Sequence, residues 1–353
     1  MSLKEVEIMY TIKDYLYYYK DIDINEVHWN QIDNLLCSIL VYLPIDTFKT
    51  KKSLKEFIEY SNQFKNRINQ GMMSKRSFEL LSLLTNSKRY SSLYISNFIN
   101  LEDENTQFGA CKFKIKDETT ISFKGTNGSS IGWIENLRLG YTYPTYTQTL
   151  AIKYLKENIS LNDNKIYVSG HSKGGNLAMT SVMELPVKQQ KKIKNIYNFD
   201  GPGFLTNEFN SMKFKKIEDK LINIVPTGSV IGIILNNDNY KVVKSVELGV
   251  YEHFPTSWCI FGENFIEGKL SGVSKKLHIN TTIGLESLDK EQLSSAIEQI
   301  VKLVLDNKDN IHSINDITKL IKSIQNIDPK VQKYLMKFIN TIISFKSKEI
   351  NVK

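Results

Sequence analysis

The feature that most constrains this chain is the run Gly170-His171-Ser172-Lys173-Gly174-Gly175, set between two unlike segments. Lys165-Ile166-Tyr167-Val168 before it reads as a strand, and Asn176-Leu177-Ala178-Met179 after it opens a helix. A G-x-S-x-G pattern in that context predicts a sharp strand-to-helix turn with the serine at its tip. Glycines are needed two residues to either side, because a Cβ there would strike neighbouring chain. The turn lifts the Ser172 hydroxyl above a sheet, and the helix N-terminus behind it favours developing negative charge. The pattern alone also fits a plain Gly-rich loop; its flanks are what make Ser172 a nucleophile. His171 diverges from its neighbour at such a turn, so it is read as structural and not as the base.

Around this turn the chain divides into three stretches: 1–90, 91–285 and 286–353. In the first, Ile32, Leu35, Leu36, Ile39, Leu40 and Leu43 repeat at helical spacing until Pro44, and further helices are predicted over Ser53–Ile68 and Ser77–Leu84. From about residue 108 the period changes. Phe108–Ile115 and Thr119–Lys124 read as a hairpin turning at Lys116-Asp117-Glu118. Helix Thr147–Asn158, strand Lys165–Val168, helix Gly175–Leu185, strand Asn195–Phe199 and strand Leu221–Val225 follow, with Tyr240–Ser245 as one more strand. Strands joined by helix-length connections predict a mainly parallel sheet covered on both faces. The last stretch returns to helix, with packing stripes at Leu293, Ile297, Ile300, Val301 and Val304 and at Val331, Leu335, Phe338, Ile339 and Ile342. Asp328-Pro329 signals a helix start.

Composition narrows the setting. With 41% hydrophobic and 24% charged residues the chain reads as a globular protein. The net charge of +8 is dispersed lysine, which argues for a solvated surface and against nucleic acid, and leaves peripheral contact with an anionic membrane open. No apolar run has the length of a membrane span, and Glu5, Glu7 and Asp14 do not suit a secretory signal. Cys37, Cys111 and Cys259 are widely spaced with no CxxC pair, so reduced thiols and a cytoplasmic location are expected. No metal-ligand cluster or cofactor motif is seen, so the expected cofactor set is none.

Ser172's hexapeptide, with Phe123-Lys124-Gly125-Thr126 and Trp133 upstream, resembles the class 3 lipases of the α/β-hydrolase fold. A bacterial lipase-like family of unknown function is more similar still, from about Tyr10 to Phe265. Its motifs are matched here by Gly125-Thr126, Trp133-Ile134-Glu135-Asn136, residues 170–175, Asp200–Phe204 and His253–Trp258. The resemblance implies an α/β-hydrolase fold with a mainly parallel central sheet, to which the helical N-terminal region and C-terminal extension are added. It fades over the N-terminal helices and is absent after about 285. Where those lipases carry arginine this chain has Lys124, which loses the bidentate fork.

A nucleophilic serine needs a base, an acid behind it and an oxyanion hole. Three histidines follow Ser172: His253, His278 and His312. His312 reads as a surface residue at a helix start, and His278 lies in an alternating segment. His253, held by aromatics and Pro255, is the base that the resemblance also selects. Class 3 lipases carry the acid after a later strand, where Ile224-Val225-Pro226-Thr227-Gly228-Ser229 has no carboxylate. Asp200, ending the strand after the nucleophile's, is the acid expected here, a place pancreatic-type lipases use; the alternative is that it caps its own turn. Asp238 reads as a hairpin turn. The oxyanion donors are the N–H of Lys173 and, by the resemblance, that of Thr126. The expected activity is hydrolysis of a small-molecule or lipid carboxylic ester. An inactive hydrolase-like interaction module and an acyltransferase with the same triad are the alternatives.

Overall fold

The computed structural model of the chain describes residues 9–103, 106–127, 130–286, 288–306, 328–333 and 336. Helices α1 (Ile12–Tyr19) and α2 (Gln31–Leu40) come first, followed by β1 (Lys52–Ser53), α3 (Leu54–Asn62), α4 (Lys65–Ile68) and α5 (Met72–Leu83). The sheet continues with β2 (Tyr94–Glu102), β3 (Gln107–Ile115) and β4 (Glu118–Phe123). Helices α6 (Ser130–Arg138) and α7 (Tyr146–Asn158) lead to β5 (Lys165–His171), which runs into α8 (Lys173–Met183). Next are α9 (Val187–Gln190), β6 (Ile193–Phe199), α10 (Thr206–Phe209), α11 (Met212–Glu218), β7 (Leu221–Pro226) and β8 (Tyr240–Val243). A small hairpin of β9 (Ile260–Phe261) and β10 (Asn264–Phe265) precedes α12 (Gly272–Glu286) and α13 (Lys290–Asp306).

Strands β1 to β8 form one sheet in sequence order. β1 to β4 are antiparallel; β4 to β8 are parallel, with β5, the strand that leads into Ser172, between β4 and β6. This is the α/β-hydrolase architecture the sequence reading anticipates. The strand Tyr94–Glu102 is not anticipated. Its sequence mixes polar and apolar residues, and its pairing with β3 shifts between Ser96 and Ile99, beside Asn97 at φ 51°. That irregularity erases the two-residue alternation by which a strand is recognised. The predicted helix Ser53–Ile68 is two helices, and the expected hairpin at Lys116 forms, with Lys116 at φ 48°. Asp238 turns no hairpin: it lies in the connection between parallel neighbours β7 and β8, where its carbonyl accepts from Asn223 Nδ2. His278 sits in helix α12, not in an extended segment, and its Nδ1 is 2.7 Å from the Ile233 carbonyl oxygen.

Alternation along the strands gives each face its own core. Tyr167, Tyr197, Phe199, Cys111 and Phe113 face the N-terminal helices. Ile166, Val168, Ile196, Ala110 and Phe123 face α7, α8 and α11. Helix α2 is buried over nearly its whole circumference against the sheet, which matches its apolar sequence. Of the two C-terminal stripes, Leu293, Ile297 and Val331 are buried. His312, Leu335, Phe338, Ile339 and Ile342 lie outside the described residues.

Burying α2 also buries Asp33. Its carboxylate is met by Arg89 Nη2 at 2.6 Å, Arg89 Nε at 3.2 Å and the Tyr90 hydroxyl at 2.6 Å, with the ion pair fully inaccessible. Removing one partner strands an uncompensated charge. Arg89→Met should therefore lower stability by about 3–5 kcal/mol in urea unfolding, while Lys13→Met, which breaks the exposed pair to Glu79, should change it by less than about 1 kcal/mol.

Candidate active site

The turn predicted at Ser172 is present. Ser172 has φ 57° and ψ −134°, a left-handed backbone that a non-glycine residue adopts only under constraint. Its N–H donates to the Phe199 carbonyl at 2.9 Å, and its carbonyl accepts from Gly175 N–H at 2.8 Å, so β6 and the first turn of α8 hold it in place. A Cβ at Gly174 would press on the backbone of Phe123 and Lys124, at the end of β4. That close approach explains why this position must be glycine.

Ser172 is 6% exposed. Asp200 follows β6 immediately and is also left-handed, at φ 51°. Its fully buried carboxylate accepts from the Ser229 hydroxyl, from Gly232 N–H at 3.0 Å and, through Oδ2, from His253 Nδ1 at 2.6 Å. Asp200 therefore does more than cap its own turn. The stretch 224–229, empty of carboxylates, supplies the hydroxyl that grips Asp200 in their stead. His253 ends a short 3₁₀ turn, Gly249–His253, and its ring lies 4.5 Å from that of His171, one residue from Ser172. Among the described residues the Ser172 hydroxyl has no hydrogen-bond partner.

The loop carrying Thr126 lies against the serine. A Cβ at Gly125 would come 3.0 Å from Ser172 Cβ and would press on the His171 carbonyl and the Tyr42 hydroxyl. Only a glycine lets the loop approach so closely. Thr126 Oγ1 accepts from Asn136 Nδ2 at 3.1 Å, which ties the loop to α6; Gly128 and Ser129 lie outside the described residues. Lys173 opens α8, where its N–H has no acceptor within the helix. Its side chain packs inward. It is buried, and Nζ donates to the Gln107 carbonyl at 2.9 Å, while Gln107 Nε2 donates to the Gly125 carbonyl at 3.2 Å. Lys173 and Gln107 thus lock the Ser172 turn to the Thr126 loop. Sequence gives no sign of Gln107's part, because its partners, the Lys173 ammonium and the Gly125 carbonyl, lie far from it along the chain. The roles of Ser229 and Tyr42, which meet Asp200 and His171, are hidden by the same distance.

Two lysines are buried beside this site. Lys124 Nζ donates to Asn100 Oδ1 at 2.8 Å, which answers what lysine does in place of the family's arginine. Burial lowers Lys124 to about 8, with Glu102 opposing. Burial likewise lowers Lys173 to about 8, with Glu135 opposing and Lys124 reinforcing. An unfolded lysine keeps its proton to about 10.4, so between pH 8 and 10 each of these two sites holds more protons unfolded than folded and by itself raises stability with pH, by about 2–3 kcal/mol. The buried thiols of Cys37 and Cys111, pushed up by burial, act in the opposite sense and are common to wild type and variant. The stability of the wild type relative to Lys173→Met should therefore rise by about 2 kcal/mol between urea unfolding at pH 8 and at pH 10.

With the geometry in place, comparison with known proteins assigns the chain. The crystal structure of M37 lipase is similar at 16% identity, covering 57% of this chain and 69% of that one, with a TM-score of 0.33. No match is found among curated proteins. The family model described as Mbeg1-like matches residues 84–302, more than half of the chain, from the C-terminal end of α5 into α13. The lipase-like resemblance of the motifs is thereby borne out, and the chain belongs to the Mbeg1-like family.

Proposed function

We propose that the protein is a serine hydrolase that cleaves carboxylic esters. The observation that carries this reading is the 2.6 Å contact between His253 Nδ1 and the buried Asp200 carboxylate, beside a serine on a left-handed strand-to-helix turn. With Nδ1 donating to Asp200, the lone pair of His253 is on Nε2, the tautomer a general base requires. In the proposed reaction Ser172 Oγ attacks the ester carbonyl carbon as His253 Nε2 takes the hydroxyl proton. Asp200 orients the imidazole and stabilises its cation. The main-chain N–H groups of Lys173 and Thr126 receive the oxyanion, and the α8 N-terminus adds its partial positive charge. Collapse of the tetrahedral intermediate expels the alcohol, which takes the proton from His253, and leaves the acyl group on Ser172. Water, deprotonated by His253, then releases the acid.

A small-molecule or lipid ester is the proposed substrate, and a cytoplasmic setting belongs to the same proposal, supported by three cysteines that are all buried thiols. No helix among the described residues is long and apolar enough to cross a membrane. The test combines p-nitrophenyl esters of graded acyl length with a fluorophosphonate probe. Wild-type protein should be labelled at Ser172, and Ser172→Ala should lose labelling and about 10⁴-fold or more of its turnover. Asp200→Asn should cost about 10⁴-fold with the fold intact. A natively folded wild type that is neither labelled nor active would establish the non-catalytic module instead.

A further inference from the structure

A buried hydrogen-bond chain enters the site from the N-terminal helices and ends on the main chain of His253. Tyr42, two residues past α2, is buried, and its hydroxyl lies 3.0 Å from His171 Nδ1. His171 Nε2 lies 2.7 Å from the carbonyl oxygen of His253. A carbonyl only accepts, so Nε2 carries the ring proton and donates it. Nδ1 then presents a lone pair, and the Tyr42 hydroxyl donates to it; the His171 carbonyl, at 3.2 Å, is a second acceptor for the same proton. The bond from Tyr42 requires a neutral ring, since a protonated Nδ1 has no lone pair to accept with. Burial, with His253 alongside, holds His171 well below the ordinary histidine range and keeps it neutral.

The rest of the His253 loop is held elsewhere. Glu252 Oε2 accepts from Gly228 N–H at 2.7 Å, Glu252 Oε1 from Gly249 N–H at 3.2 Å, and the Glu252 carbonyl from Trp258 Nε1 at 2.8 Å. Asp200 holds the His253 ring. The peptide that follows His253 Cα is held at its N–H by the Tyr251 carbonyl, at 3.0 Å within the same turn, and at its carbonyl by His171, the one of the two that reaches it from outside the turn. Rotation of that peptide swings the base itself, because the imidazole hangs from the same Cα. A displacement of about 1 Å at a reacting group costs on the order of 100-fold in rate.

We propose that Tyr42 is a positioning residue: through His171 it sets the main chain of His253 so that the imidazole meets Ser172 with Asp200 behind it. This rests on the hydrolase reading above, and it makes the N-terminal helices part of the working site. Tyr42→Phe removes one hydroxyl and no volume. The prediction is a phosphonylation rate at Ser172 that falls about 10- to 100-fold, a fall in kcat with KM unchanged, and a changed downfield resonance of the His253 Nδ1 proton. His171→Gln supplies the rescue. A glutamine amide places a donor close to where His171 Nε2 stands and needs no partner to fix a tautomer, so His171→Gln should react at close to the wild-type rate, and adding Tyr42→Phe to it should cost nothing more. If Tyr42→Phe does not fold, His171→Phe against His171→Gln makes the same comparison, slow against fast. A labelled wild type with a folded Tyr42→Phe of equal rate and unchanged resonance overturns the inference alone. A folded wild type that resists labelling overturns the hydrolase reading and this inference with it.

Discussion

The left-handed backbone at Ser172 is the constraint on which the site is built. A residue with a side chain holds φ 57° only where its surroundings leave no other choice. Here β6 takes the Ser172 N–H, α8 takes its carbonyl, and the end of β4 packs against Gly174 with no room for a Cβ. Each of these contacts comes from a different strand or helix. The turn therefore forms only when the parallel half of the sheet is assembled, and every neighbouring loop is placed relative to it.

Asp200 repeats that logic one strand further on. It too is left-handed, directly after β6, and three separate groups converge on its carboxylate. A buried carboxylate without donors would carry a large desolvation cost; Ser229, Gly232 and His253 together remove it. The connection after β7 thus contributes to the site through a hydroxyl and a main-chain N–H. Two successive strand ends, β5 and β6, carry the proposed nucleophile and acid, while the proposed base reaches them from a turn after β8.

The N-terminal helices are tied into the same centre. Helix α2 is buried against β4, β5 and β6, and its polar groups are answered one by one: Asp33 by Arg89 and Tyr90, Asn34 by Thr120. Tyr42 extends that packing to His171. On the opposite side, Lys173 and Gln107 fasten the Ser172 turn to the loop of Gly125 and Thr126. The site is braced from both sides of the sheet by side chains from segments remote in sequence.

Local sequence determined the parts whose causes are local. The strand, serine and helix at residues 165–183 were legible because apolar period, glycine placement and helix start all act within a few residues; the parallel order of β4 to β7 followed from the alternation of strands and helices. Strand β2 was not legible, since its bulge breaks the alternation that marks a strand, and Asp238 misled because asparagine-rich turns look alike whether the strands they join are parallel or antiparallel. Tertiary structure alone decided what Asp200, Gln107, Ser229 and Tyr42 do. Each meets partners set by how the strand ends and loops stack, at sequence separations of 18 to 129 residues in the bonds that matter, and a hydrogen bond between distant positions leaves no periodic trace in a chain.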